Sequence, residues 1–190
     1  MNIARVLYPV RVLGPGDRVG IWVCGCRRAC PGCSNPELWY EKPEYEISID
    51  HLMDLINTIK ETNDIEGFTI TGGEPMNQSG DLSVLIDRLS EISDDILVYS
   101  GYQLDELKNL GSDTRFVLKK IAVLIDGEYI EEKNNDSRLR GSSNQEIHIL
   151  NPKFASKYQE YLEGCHNQIQ NFTTSDGIVS VGIHRKGFTP

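Results

Sequence analysis

Short strand-like hydrophobic runs alternate with amphipathic helical patterns along this chain, and this alternation restricts its fold more than any other feature. The runs that predict strands in its central part span residues 18–23, 68–70, 96–99 and 121–125. Apolar residues at helical spacing predict helices over 49–59, 82–92, 103–110 and 154–162. Ser48, which precedes the first of these helices, is a residue type that caps helix N-termini. Strands joined by helices are typical of an α/β fold with a mostly parallel sheet.

The length of the chain limits how such a sheet can close. A complete eight-fold βα barrel needs about 250 residues, whereas this chain has 190. We therefore predict one domain over 1–190, folded as a partial (open) βα barrel, with its core at about 10–150. Residues 2–13 predict an extended segment broken at Pro9, and residues 131–146 predict a polar loop over one face. The segment 151–190 predicts a C-terminal helix and a hairpin, with strands over 168–174 and 178–183 that turn at Asp176-Gly177.

Polar or glycine residues follow each of the four predicted central strands. These strand-end residues are Cys26, Gly72, Ser100 and Asp126. In parallel α/β sheets the ligand site lies at the carboxyl ends of the strands. The sequence therefore predicts that the four motifs meet at the carboxyl ends of the strands, and that the active site lies there.

Three cysteines, Cys26, Cys30 and Cys33, lie within eight residues at that position. Three thiolates at this spacing suit a 4Fe–4S cluster whose fourth iron has no protein ligand and is open to a small molecule. The alternative is a structural zinc site, with Cys24 or a distant histidine as the fourth ligand. Zinc sites commonly use a second downstream pair, and the adjacent Cys165 and His166 are the one candidate pair. We favour the cluster and interpret Cys24 as a buried neighbour.

Composition and charge narrow the remaining classes of function. The formal net charge of −9 argues against a protein that binds nucleic-acid phosphates, and we expect no nucleic-acid partner. No apolar run approaches the ~18 residues that span a bilayer, and the N-terminus lacks a signal-peptide pattern, so we expect a cytoplasmic protein without a membrane partner. Clustered cysteines in such a protein indicate metal binding more than disulfides.

The segment Gly72-Gly73-Glu74-Pro75 ends the second central strand. Two glycines allow a ligand to approach the backbone closely, and the carboxylate suits a ligand ammonium group. On its own this would be an ordinary turn, but next to the cysteine triad it favours a ligand site.

Together, the cysteine triad and the Gly72–Glu74 turn resemble the radical S-adenosylmethionine (radical SAM) enzymes. Further motifs resemble the branch that activates glycyl-radical enzymes, in particular the activases of anaerobic ribonucleotide reductases. These motifs are Gly14-Pro15-Gly16-Asp17-Arg18, the loop from Gly25 to Asn35 with Trp39, Tyr99-Ser100-Gly101-Tyr102, Leu124-Ile125-Asp126-Gly127 and Leu139-Arg140-Gly141-Ser142-Ser143-Asn144-Gln145. Many radical SAM loops have an aromatic residue where this chain has Gly32, but glycine is common there in this branch. The resemblance covers about residues 10–150.

The resemblance implies two cofactors and a set of residues that hold them. Cys26, Cys30 and Cys33 would hold one 4Fe–4S cluster, and SAM would chelate the open iron. Gly72, Gly73 and Glu74 would position the SAM amino group. Ser100 and Asp126 would lie near SAM or a bound cation, the alternative for Asp126 being a turn residue before Gly127. Asn144 and Gln145 would line the far side of the pocket, the alternative being an ordinary polar loop. No catalytic side chain is implied beyond the cluster and SAM.

The implied activity is reductive cleavage of SAM and generation of a glycyl radical on a partner protein. The implied partners are an anaerobic ribonucleotide reductase or another glycyl-radical protein, and a flavodoxin- or ferredoxin-type electron donor. One alternative is a small activase-like radical SAM enzyme that acts on another peptide or on a small molecule. A non-enzymatic alternative is a ferredoxin-like electron carrier or a zinc module, which the open coordination and the Gly72–Glu74 turn disfavour.

Overall fold

The computed structural model describes residues 1–164, 168–174 and 177–185. Its strands are β1 (Ile3–Val10), β2 (Arg18–Val23), β3 (Gly67–Gly72), β4 (Ile96–Tyr99), β5 (Val123–Asp126), β6 (Glu146–Ile149), β7 (Ile169–Thr174) and β8 (Gly177–Gly182). Its helices are α1 (Ile49–Lys60), α2 (Ser79–Ser90), α3 (Leu104–Asn109), α4 (Ser112–Lys120) and α5 (Ala155–Glu163). None of these helices is long and apolar enough to cross a membrane.

Six of these strands form one mixed sheet in the order β1-β2-β3-β4-β5-β6. The four central strands, β2 to β5, are parallel to one another, and the edge strands β1 and β6 are antiparallel to their neighbours. The predicted α/β fold with a mostly parallel sheet is therefore confirmed. The carboxyl ends of the four parallel strands lie along one edge, so the segments that follow them are neighbours.

Alternate side chains of the central strands pack on opposite faces of the sheet. Val19, Ile21 and Phe68 belong to the core that also contains the buried apolar residues of α1, α2, α3 and α4. The other face carries two smaller clusters, one around Trp22 and Val181 and one that includes Tyr158. Helix α5 and the antiparallel pair β7–β8, which we call the C-terminal hairpin, thus cover the face that the other helices leave open.

The buried side chain of Arg18 connects the N-terminal ends of the strands β2, β3 and β4. The Arg18 side chain is fully buried, and its Nη1 lies 3.1 Å from Asp95 Oδ1. Arg18 Nε donates to Thr69 Oγ1 at 2.8 Å, and Nη2 donates to the carbonyl oxygen of Phe68 at 2.5 Å. From α5, the Tyr158 hydroxyl donates to the same oxygen, Asp95 Oδ1, at 2.7 Å, and burial raises the pKa of Tyr158. All partners of this guanidinium are internal, so its position fixes how the strands meet.

The structure departs from the sequence predictions at three elements. Strand β1 continues through Pro9 to Val10, with irregular pairing between Leu7 and Val10; it is an edge strand, where a residue without an N–H is tolerated. Helix α4 was not predicted, because only Thr114 and Val117 of its residues are buried. Strand β6, also not predicted, begins at the last residue of the segment expected to be a loop. The C-terminal hairpin is confirmed, although residue 176 of its predicted turn lies outside the described residues.

Asp95→Ala should lower the free energy of unfolding by about 3–5 kcal/mol, because it leaves the buried Arg18 guanidinium without its counter-charge. The measurement is urea denaturation followed by circular dichroism. Asp50→Ala is the matched control, since Asp50 is 86% exposed and pairs with Arg88 at the surface. That control should lose less than about 1 kcal/mol. Equal losses in the two variants would contradict the role given to Arg18 and Asp95.

Candidate iron–sulfur and cofactor site

The chain after β2 forms a loop whose base is closed by backbone hydrogen bonds. The N–H of Gly25 donates to the carbonyl oxygen of Leu38 at 2.9 Å, and the N–H of Cys26 donates to that of Trp39 at 2.8 Å. Residues 26–39, which we call the cysteine loop, therefore leave the sheet and return to it at one point. All three cysteines of the predicted triad lie in this loop.

The thiols of Cys26, Cys30 and Cys33 are free, half-buried and line one pocket. The backbone N–H of Asn35 donates to Cys33 Sγ at 3.5 Å. Burial raises the pKa of the Cys30 thiol, while a backbone hydrogen bond from Tyr129 acts in the opposite direction. Hydrogen bonds to cysteine sulfurs are among the features that tune iron–sulfur clusters. The loop thus offers three thiols to one cavity, as a three-cysteine cluster requires.

The zinc alternative finds no support in the described part of the chain. Within it, no group of three or more histidine, cysteine, aspartate or glutamate side chains is arranged to hold a single metal ion. Thiolates that bind three different irons of a cubane do not have to converge on one ion. Cys24 is fully buried beside Trp22 and Leu38 in an apolar cluster, as predicted for a buried neighbour. Cys165 and His166 lie outside the described residues.

The turn after β3 packs directly against the start of the cysteine loop. The N–H of Gly73 donates to the carbonyl oxygen of Val23 at 2.7 Å, and the N–H of Glu74 donates to that of Gly25 at 2.8 Å. A Cβ on Gly72 would lie 2.5 Å from the oxygen of Val23, and one on Gly73 would lie 2.7 Å from that of Gly25. The glycines are therefore needed for the approach of the chain's own backbone. The N–H groups of Gly73 and Glu74 are thus used within the protein, whereas the ionised Glu74 carboxylate can only accept hydrogen bonds from a ligand.

Glu74 connects this turn to the segment that follows β4. Its Oε1 accepts from the N–H of Met76 at 3.0 Å and from Ser100 Oγ at 2.9 Å, and its Oε2 accepts from the N–H of Gly101 at 2.6 Å. Burial raises the pKa of Glu74, although these hydrogen bonds and the nearby Arg28 act to lower it. A carboxylate has about four acceptor positions. Three are used by the protein, which leaves about one for a ligand.

The structure brings most of the predicted site residues to the same pocket. Gly72, Gly73, Glu74, Ser100 and Gln145 line it together with the three cysteines. Among the described residues, neither Asp126 nor Asn144 belongs to this lining.

Asp126 and Asn144 instead contact segments next to the pocket. Asp126 Oδ2 accepts from the N–H of Leu104 at 2.6 Å and lies 3.0 Å from His148 Nε2. Asn144 donates to the carbonyl oxygen of Glu128 at 2.9 Å. Glu128 itself lines the pocket, so Asn144 supports the wall from outside.

Several pocket residues were not among the predicted site residues, and two groups of them bear on the chemistry. Arg28, between two of the cysteines, stacks its guanidinium over the Tyr102 ring at 4.3 Å and lies 3.7 Å from Glu128. The one signal in the sequence that could have indicated a role for Arg28 is its position, as a basic residue, between Cys26 and Cys30. Residues 180–184, from the C-terminal hairpin and the segment after it, form another wall. Their pattern resembles any half-buried strand, so nothing local in the sequence indicates that they reach the cysteines.

Comparison with known proteins places this site in a family. The family model described as a 4Fe-4S single cluster domain matches residues 12–148. An anaerobic ribonucleoside-triphosphate reductase-activating protein from Escherichia coli is 33% identical over 150 residues, which cover 75% of this chain and 96% of that protein. The protein of the same name from Haemophilus influenzae is 38% identical over 74% of this chain and 94% of its own length. The one from Enterobacteria phage T4 is 32% identical over 77% and 93%.

The chain belongs to the family of the anaerobic ribonucleoside-triphosphate reductase-activating proteins. This membership confirms the resemblance to the glycyl-radical activase branch of the radical SAM enzymes. It also confirms that the chain is an enzyme, and the matched domain supports an iron–sulfur cofactor. The match ends at residue 148, so it includes the cysteine loop and the turn after β3 but not the C-terminal hairpin.

Gly73→Ala should destabilise the protein by about 1–3 kcal/mol and lower the iron bound per chain, because the new methyl group would displace the backbone at Gly25. Urea denaturation and iron analysis of anaerobically prepared protein measure the two effects. Gly80→Ala is the control, since a Cβ there would have its nearest neighbour at 3.8 Å on an exposed helix. That variant should be as stable as the parent or slightly more stable. If both variants behave alike, the close packing at Gly73 has no energetic importance.

Proposed function

We propose that this protein cleaves SAM reductively at a three-cysteine 4Fe–4S cluster and thereby generates a glycyl radical on an anaerobic ribonucleotide reductase. The observation that carries the proposal is one pocket in which Cys26, Cys30 and Cys33 face the turn 72–74. The names of the relatives support the choice of partner.

In this proposal the three cysteines hold the cluster and leave one iron for SAM. The fit rests on free thiols that share a cavity and on a loop base fixed to the sheet by hydrogen bonds. A cluster held by these cysteines would pass one electron from an external donor to SAM, for cleavage to methionine and removal of a hydrogen atom from a glycine of the partner.

The turn 72–74 is proposed to receive the SAM amino group. An ammonium group only donates hydrogen bonds and an ionised carboxylate only accepts them, while the N–H groups of Gly73 and Glu74 are used within the protein. Glu74 has about one free acceptor position, and its other hydrogen bonds hold the carboxylate in place before a ligand arrives. A charge-assisted hydrogen bond from the ligand would compensate the burial of this carboxylate.

Ser100, Asp126 and Asn144 complete the proposed binding set with different roles. Ser100 lines the pocket and donates to Glu74, so it would orient that carboxylate toward SAM. Asp126 and Asn144 would act through the wall, by holding the segments that follow β4 and β5.

The proposal includes an open βα barrel with its active site at the carboxyl ends of the strands. Parallel strands in sequential order, with helices α1 to α4 on one face, support it. It also includes a flavodoxin- or ferredoxin-type electron donor and a cytoplasmic location. A strongly reducing cluster needs such a donor and protection from water and oxygen.

Reconstituted protein should contain about four irons per chain, as one cubane requires, and should lose its visible absorbance in Cys26→Ala, Cys30→Ala or Cys33→Ala. Cys24→Ala is the control within the same segment and should keep the cluster, because Cys24 packs in an apolar cluster. Iron analysis and absorbance under anaerobic conditions measure both. Loss of the cluster in Cys24→Ala with retention in Cys26→Ala would show that the ligands are misassigned. Stoichiometric zinc without iron would exclude the cluster.

Anaerobic incubation of the protein with a reductant, SAM and an anaerobic ribonucleotide reductase should produce a glycyl radical on the reductase. Electron paramagnetic resonance would detect it as a stable doublet. A reductase whose radical-site glycine is replaced by alanine should still form the complex but give no doublet, since the hydrogen to be abstracted is missing. Efficient multiple-turnover SAM cleavage coupled to a small molecule, with no partner present, would contradict the proposal.

A further inference from the structure

The C-terminal hairpin and the segment after it form one wall of the pocket that contains the cysteines. Residues 180–184 line that pocket together with Cys26, Cys30, Cys33 and Glu74. The family match ends at residue 148. The hairpin therefore adds to the shared site a wall that the family model does not account for.

This wall is fixed to the sheet by packing and by hydrogen bonds. Val181 is 3% exposed and packs with Trp22 in an apolar cluster. The Gln170 side chain accepts from the N–H of Arg11 at 3.0 Å and donates to the carbonyl oxygen of Pro9 at 2.6 Å. Beyond the hairpin, the carbonyl oxygen of His184 accepts from Asn134 at 3.0 Å. Its side chains therefore have defined positions in the pocket.

Two polar side chains of this wall are within hydrogen-bond distance of each other. Ser180 Oγ lies 3.3 Å from His184 Nε2. Burial lowers the pKa of His184 and so favours the neutral imidazole. Beyond this contact the Ser180 hydroxyl keeps at least one acceptor position. Residues 180–184 thus present polar groups to the pocket without an acidic, lysine or arginine side chain.

Among the described residues, the charged side chains that line the pocket lie on other segments. Arg28 belongs to the cysteine loop, Glu74 to the turn after β3 and Glu128 to the segment after β5. A ligand with a charged and a neutral end would match both environments in one orientation only. SAM is such a ligand: its methionyl part carries the charges, and its nucleoside part is neutral but rich in hydroxyl and ring nitrogen groups.

We propose that the C-terminal hairpin is part of the SAM site and that Ser180 and His184 are binding residues for the neutral nucleoside part of SAM. This inference rests on the proposed function and deepens it. The hydroxyl and the imidazole form hydrogen bonds with ribose hydroxyls or adenine nitrogens, while the acceptors of the turn 72–74 bind the amino group. The hairpin also excludes water from that side of the bound ligand.

The test measures SAM binding to the cluster-loaded full chain under anaerobic conditions. Ser180→Ala and His184→Ala should each weaken SAM affinity about 2- to 12-fold, the effect of one lost neutral hydrogen bond. Binding of L-methionine, which lacks the nucleoside, should not change. His184→Gln, which keeps a hydrogen-bonding side chain, should recover part of the loss. Ile178→Thr is the control on the same hairpin, since Ile178 is 74% exposed and outside the pocket.

The other outcomes are interpreted for variants whose iron content and unfolding midpoint match those of the parent protein. Unchanged SAM affinity in both alanine variants would overturn the inference. Equal weakening of SAM and L-methionine would also overturn it, because the hairpin would then act on the whole site. Unchanged SAM affinity with a lower glycyl-radical yield would overturn it as well, and would indicate that residues 180–184 contact the segment of the reductase that carries the radical-site glycine. Failure of the cluster-loaded parent to bind SAM would overturn the proposed function itself, and this inference with it.

Discussion

The buried guanidinium of Arg18 determines how the parallel strands meet. It forms hydrogen bonds with β3 and an ion pair with Asp95, and Asp95 in turn binds Tyr158 of α5. A buried charge without its partner costs several kcal/mol. A one-residue slip of β2 against β3 would separate these groups and also move each β2 side chain to the opposite face of the sheet. The Gly67 position facing Arg18 has no side chain, which leaves room for the guanidinium.

That register is transmitted to the opposite edge of the sheet. Strands β2 and β3 pair without interruption from Arg18 and Gly67 to Val23 and Gly72. The hydrogen bond from Gly73 to Val23 continues the same pairing beyond the last ladder position. The cysteine loop and the turn 72–74 are therefore placed against each other by the strands that carry them. One end of the sheet contributes stability, and the other provides the groups for chemistry, as in complete βα barrels.

The sequence predicts most of the parts built from local patterns. Strand β2 has the predicted bounds, and Ser48 caps α1 by accepting from the N–H of His51, because both signals involve adjacent residues. Helix α4 was missed because it buries too few residues to show an apolar period. The pocket wall at 180–184 was missed for a different reason. Its position depends on contacts such as Gln170 with Pro9, between residues far apart in the chain.

The same distinction applies within the pocket. Cysteine spacing and the glycine turn are local patterns, and the structure brings both to one cavity. Many of the hydrogen-bond partners of the polar groups, in contrast, come from segments that are distant in the sequence. The space beside Gly72 and Gly73, which the sequence suggests is open to a ligand, is filled by the backbone of Val23 and Gly25. Three of the hydrogen-bond acceptor positions of Glu74 are used by neighbouring groups of the protein. The pocket therefore has two unlike walls. The turn 72–74 offers hydrogen-bond acceptors, and residues 180–184 form a wall without an acidic, lysine or arginine side chain. A pocket with unlike walls can orient an asymmetric ligand before any reaction begins, which is the main contribution that a protein makes to the chemistry of a cofactor.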